Sequence, residues 1–351
     1  MTRISLRGSL LLGDIGLKRT LLALATAALA AAAYAQSAPE PVQPPPHTSP
    51  WPILGTGATQ GLQTASLALG PSLERGRLPQ EMLADKRKLD AALGALKPQR
   101  KGTVDAYVVA IALDSDPVFA REAREAGRVL AARYDAEGRT VTLAGPDGRS
   151  AELARGSIDN LTLTLARVAE VMDPAEDVLV LYTTSHGAPD GLAYHYGDTG
   201  FGILSPYRLG SVLAELRMKR RIVLLSACFS GVFLPYLRTD DTVIVTAAAA
   251  DRTSFGCQAD NDWTFFGDAL VNIAMRQPQG LRAAATQAQG IIAEWESTYR
   301  LDPSQPQVSI GDGVASWLSS LEARMPRKAS APVGIPSINT AIVAPPAQKR
   351  R

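Results

Sequence analysis

The chain has 351 residues, of which 46% are hydrophobic and 20% charged, and it carries a net charge of +2. That length holds one large or two modest globular domains. Lys and Arg are scattered, with no basic stripe interleaved with aromatics, which argues against a nucleic-acid partner.

In chain order, residues 1–35 have the three parts of a secretory signal. A basic stretch, "MTRISLRGSLLLGDIGLKR", leads into an apolar one, "TLLALATAALAAAA", and "AYA" precedes Gln36. The apolar run is shorter than the ~20 residues a spanning helix needs. Cleavage and export to the periplasm or the exterior are therefore expected, with an uncleaved N-terminal anchor as the competing reading. No later segment is apolar for long enough to span a bilayer. Residues 36–74 form a Pro/Gly-rich linker that opens "SAPEPVQPPPHTSPW" and shows no clear period. His47 inside it reads as a solvated linker histidine.

The main domain is expected over residues 75–320, led by a helix over 78–96 whose apolar residues recur at three and four. "VDAYVVAIAL" (104–113) reads as a strand and "DPVFAREAREAGRVLAARY" (116–134) as a helix with Pro117 in its first turn. "RTVTLAG" is a short strand, and residues 157–172 are a helix capped at or near Ser157. "DVLVLYTTS" is apolar on both faces, as a central parallel strand should be. "LAYHYG" and "FGIL" suit a small hairpin, followed by a helix with Ser205 as N-cap and Pro206 at its first position. "RIVLLSA" and "DTVIVTAAAA" are further strands. Helices at about 263–276 and 279–299 and a last strand, "QPQVSIG", complete the pattern. Residues 321–351 have prolines, no period and a basic end, and read as a disordered tail. Alternation of this kind predicts an α/β fold with a mostly parallel central sheet and helices on both faces.

Two residues stand just past the ends of central strands, where such sheets place their chemistry. His186 follows "DVLVLYTTS" and Cys228 follows "RIVLLSA". A thiol at a strand end beside a histidine permits nucleophilic catalysis, with the histidine as general base and then as acid to the leaving group. The amides of Gly187 and Cys228 are placed to form an oxyanion hole. Against this stand blander readings: a strand-end cysteine is often a small buried hydrophobe, and a strand-end histidine can simply cap a turn. The other histidines, His47 and His195, lie at no regular ligand spacing, so no metal or other cofactor is expected. Two cysteines in an exported chain most simply suggest one disulfide.

"YTTSHG" followed by "LSACFSG" resembles the histidine and cysteine blocks of the C13 cysteine peptidases, the legumain and GPI-transamidase family. "TAAAADRTSFGCQADNDWTFFGDAL" (246–270) is similar to a third block of that family. "DPVFAREA" and "PSQPQVSIGDG" resemble its bacterial branch, and the likeness spans about residues 100–317. The resemblance implies a caspase-like three-layer sandwich with His186 as general base and Cys228 as nucleophile. It also implies a specificity pocket lined by Ser254 and Asp268, with an arginine from the helix after the first strand, Arg121 or Arg124, Arg121 being the first choice. Cys257 matches a family cysteine, so constitutive pairing with Cys228 is not expected. Two departures stand out. The family's histidine-orienting Asn has no match, although Asp114, Ser115 and Asp116 are nearby, and Ser226 stands where legumain has a glutamate. The expected activity is that of an exported cysteine endopeptidase acting on a peptide or protein through a thioester. Acyl transfer to an amine by the same dyad, or a non-catalytic binding protein on the same scaffold, are the alternatives.

Overall fold

The computed structural model describes residues 43–145 and 151–340. The signal reading for residues 1–35, the start of the linker and the last part of the tail lie outside the described residues.

Six strands form the central sheet. β2 (Ala106–Ala112), β3 (Thr140–Leu143), β4 (Val178–Thr184), β8 (Arg221–Ser226), β9 (Thr242–Thr246) and β10 (Gln307–Ile310) lie in the order β10-β9-β8-β4-β2-β3. All neighbours are parallel except β10, which runs antiparallel to β9. Strand residues alternate between two faces, and here both faces are apolar. Ala106, Val108 and Ala110 join one core cluster and Tyr107, Val109 and Ile111 the other; Val180 and Leu181 of β4 divide in the same way.

The first face is covered by α3 (Pro117–Arg133), a π-helix at Gly267–Ile273, α7 (Leu281–Tyr299) and α8 (Ala315–Glu322). The second is covered by α2 (Pro79–Gly94), α4 (Ile158–Val171) and α5 (Pro206–Glu215). This is the expected three-layer α/β sandwich with a mostly parallel sheet. Ser157 and Ser205 cap α4 and α5 as predicted, each accepting a hydrogen bond from the backbone N–H three residues on.

A second, antiparallel sheet has the order β1-β7-β6-β5. It comprises β1 (Ser72–Glu74), β5 (Gly187–Ala188), β6 (Gly191–Tyr196) and β7 (Gly200–Leu204). The β6–β7 hairpin is the predicted one; β1 and β5 were not predicted.

Three segments differ from expectation. The linker contains α1 (Gln60–Ala68) as well as β1, and α1 buries no residue, so no apolar stripe announced it. The helix expected at about 263–276 is a π-helix followed by a 3-10 turn, Ala274–Arg276. The described part of the tail is docked rather than free. The Asn272 side chain pairs with both the N–H and the C=O of Val333, and Asp268 accepts from Ser337. These polar side chains satisfy the tail backbone, which composition alone leaves without partners.

Candidate active site

The parallel register of β4 and β8 pairs Thr184 with Ser226. His186 and Cys228 each follow two residues beyond that pair, so two neighbouring strands deliver them side by side at one sheet edge. Neighbouring strands are roughly 4.8 Å apart. The loops also touch: Ser185 N–H donates to Ser226 C=O at 3.2 Å. A Cβ on Gly187 would overlap the carbonyl oxygen of Cys228, so only glycine lets the backbones approach this closely.

The His186 ring is 41% exposed, and its Nε2 lies 3.4 Å from Oδ2 of Asp116. Asp116 is the residue before α3, where a carboxylate ordinarily caps the helix, yet its side chain makes no cap bond. It faces the histidine instead. The ring of Phe119, one turn into α3, meets the imidazole edge-on at 5.0 Å between centroids. Burial, the largest single influence on the imidazole, works to lower its pKa. Asp116, the neighbouring Cys257 thiol and the charge of Asp114 together overcome that and raise it to about 10. The same contact, first among its causes, holds the Asp116 carboxyl below its ordinary value. Asp116 therefore stands where the family's orienting Asn found no counterpart. No hydrogen bond joins His186 to Cys228 among the described residues, so the two meet through substrate or a small ring movement.

Cys228 lies on the turn after β8 and is partly exposed. Both cysteines are free thiols. Ser254 N–H donates to Sγ at 3.2 Å, and the Ser254 hydroxyl stands 3.7 Å from it. The backbone N–H of Cys228 makes no hydrogen bond among the described residues, and so remains available to a substrate oxygen. Phe229 has φ of 57°, a left-handed conformation that costs a non-glycine residue energy. It is held there by its N–H, which donates to Arg252 C=O at 2.7 Å. The chain then makes a 3-10 turn, Ser230–Phe233, and the single turn of α6, Leu234–Leu237. No long helix starts at the thiol; Ser254 N–H is the donor that faces Sγ.

Beneath the dyad lies a carboxylate that sequence reasoning missed. Glu122 of α3 is fully buried and accepts from Tyr182 Oη at 2.6 Å, Ser226 Oγ at 2.8 Å and Thr264 N–H at 2.7 Å. It lies against Ser226, two residues before Cys228. The sequence offers no sign of this, because Glu122 sits in "AREAREA", which reads as a solvated charged face. Gly267 makes room for it, since a Cβ there would strike the carboxylate.

Of the predicted pocket residues, only Ser254 is brought against Cys228. Arg121 donates to the carbonyl oxygens of Ala259 and Asn261 and stands 3.4 Å from Asp262, which binds it to the 259–262 loop. Asp268 is buried, accepting from Asn272 and from Ser337 of the tail. Neither touches His186 or Cys228. His47 also departs from expectation. Far from being solvated, it hydrogen-bonds Ser115 Oγ at 2.9 Å and stacks on His195 at 3.5 Å. The three histidines of the chain thus converge on Asp114 and Asp116, although no regular spacing links them.

Among solved structures, the crystal structure of caspase-1 from Spodoptera frugiperda matches at 13% identity with a TM-score of 0.38, over 62% of this chain and 93% of that one. The fold assignment rests on strand order and layers, not on that match. No curated protein matches the chain. Residues 158–314, which hold His186, Cys228, Ser254 and Asp268, match the Peptidase C13 family. That match, over a little under half of the chain, supports the peptidase C13 family and a function of the cysteine-peptidase type.

Proposed function

We propose that the protein is an exported cysteine endopeptidase that hydrolyses peptide bonds through Cys228 and His186. The observation that carries this reading is the Thr184–Ser226 register, which sets the two residues side by side beyond neighbouring strands. Cys228 Sγ attacks the substrate carbonyl carbon, its proton lost to solvent, since His186 already carries one. The oxygen takes up negative charge facing the amides of Gly187 and Cys228, an arrangement worth ~3–4 kcal/mol per donor in acyl transfer. His186 gives its proton to the leaving amine as the C–N bond breaks, leaving a thioester. Water then attacks the thioester, giving its proton to His186, and the acid departs as Cys228 is regenerated. Ser254 would contact the substrate next to the nucleophile. Arg121 and Asp268 would act by shaping the surrounding loops. Export rests on the composition of residues 1–35; no described helix is long and apolar enough to cross a membrane.

The test is intact-mass spectrometry of reduced protein after exposure to a peptide-based acyloxymethyl ketone. One adduct is expected on the wild type and on Cys257→Ala, none on Cys228→Ala, and slower labelling of His186→Ala. Label on Cys257, or no label on the reduced wild type, would overturn the assignment and favour a binding role for the scaffold. Adding an amine to a cleavage reaction separates hydrolysis from acyl transfer by the mass of the product.

A further inference from the structure

The convergence of the three histidines has a chemistry of its own. Nε2 of His47 lies 3.4 Å from Asp114 Oδ1, and Nδ1 of His195 lies 3.9 Å from Asp114 Oδ2. One ligand atom from each of these three side chains falls within 4.8 Å of the other two. Adjacent ligands on a tetrahedral ion with bonds of about 2.0–2.1 Å stand roughly 3.4 Å apart. The His47 edge, to Oδ1, which also accepts from Asp116 N–H at 2.8 Å, already has that length, and the His195 edge, to Oδ2, closes by a small ring movement.

A second observation points to a missing partner. The Asp114 side chain is 0% exposed, and among the described residues neither its Oδ2 nor Nε2 of His195 has a hydrogen bond. A carboxylate oxygen buried without a donor is costly. A bound cation would satisfy that oxygen directly.

We propose that His47, Asp114 and His195 form a binding site for a divalent transition metal of the zinc class. Two imidazoles and one carboxylate suit zinc, whereas calcium and magnesium favour all-oxygen sets. His47 is the movable ligand. Its ring stacks on His195 with 26° between the planes, so the two rings hold their lone pairs in nearly parallel planes. Metal binding turns it out of the stack and away from Ser115 Oγ, which keeps its bonds to Pro45 C=O and Gly197 N–H. The His47 side chain is 20% exposed, which gives the ion a route in from solvent. The ion would staple the proline-rich segment around His47 to the sheet edge. It would also stand beside Asp116, the carboxylate that holds His186, so the candidate general base lies within reach of its charge.

The experiment uses the full chain carrying Cys228→Ala and Cys257→Ala, which removes thiol ligands, after chelator treatment and dialysis against Zn²⁺ with elemental analysis. One zinc per chain is expected, and Co²⁺ in its place should show the intense visible absorption of a tetrahedral site. His47→Ala, whose change lies on a half-exposed segment, should weaken binding by about 10–100-fold or more; His195→Ala should do the same, and His186→Ala should bind as the parent does. Ca²⁺ and Mg²⁺ should not compete. No zinc on the thiol-free parent, or unchanged binding by a folded His47→Ala, would overturn the proposal. Loss of zinc in His186→Ala with retention in His47→Ala would overturn it too, because it would move the ion to the neighbouring group of Asp114, Asp116 and His186.

Discussion

His186 owes its charge state to a residue with no catalytic motif of its own. With a pKa raised to about 10, the ring is an imidazolium at neutral pH, already equipped to protonate a leaving amine. Asp116→Asn should bring the His186 titration, followed by NMR of its ring protons, down toward 6.5. The same variant should lower kcat/KM by about 10-fold or more, since general acid–base action contributes at least that. His186 and Cys228 were legible because both follow strands that are apolar throughout, where a polar residue with no packing role stands out. Asp116 was harder to read. An aspartate before a proline-led helix looks like a cap, and only the folded chain shows its carboxylate turned toward the imidazole.

At the scale of elements, one carboxylate joins three of them behind the dyad. Glu122 ties α3 to β4 through Tyr182, to the end of β8 through Ser226, and to the approach of the π-helix through Thr264. Glu122→Ala leaves Tyr182 Oη and Thr264 N–H without this acceptor, while Ser226 Oγ can turn to Thr264 Oγ1, and should destabilise the protein by about 2 kcal/mol or more in urea unfolding. The hydroxyl of Ser226 is two residues from Cys228, so surviving protein should also be labelled more slowly by the ketone. Strands and capped helices could be read from the sequence because burial on two faces and Ser caps leave plain signals. The π-helix could not be. Six of its seven residues are buried, which leaves no polar face to set a period. The docked tail was likewise illegible, since the side chains of Asn272 and Asp268 that hold it come from elsewhere in the chain.

For the whole molecule, the His186–Asp116 pair makes stability depend on pH. A base whose folded pKa is raised from 6.5 to about 10 contributes its full share below 6.5 and loses it as pH climbs through 10. The lowered carboxyl of Asp116 sets the other limit: the contribution is present above 3.8 and fades as pH falls below it. These are two views of one contact. The difference in unfolding midpoint between wild type and Asp116→Asn should therefore be greatest from about 4 to 6.5, shrink above that, and vanish past 10. Both side chains are substantially exposed, so its size is about 1 kcal/mol or less.

The small sheet gives this edge a mechanical side. β1 pairs with β7, β7 with β6, and β6 with β5, which starts at the residue after His186. The chain arriving from upstream is thus the first rung of a hydrogen-bonded ladder whose last rung adjoins the histidine. Tension on that incoming strand, or its release by a cut ahead of Ser72, would pass rung by rung toward His186.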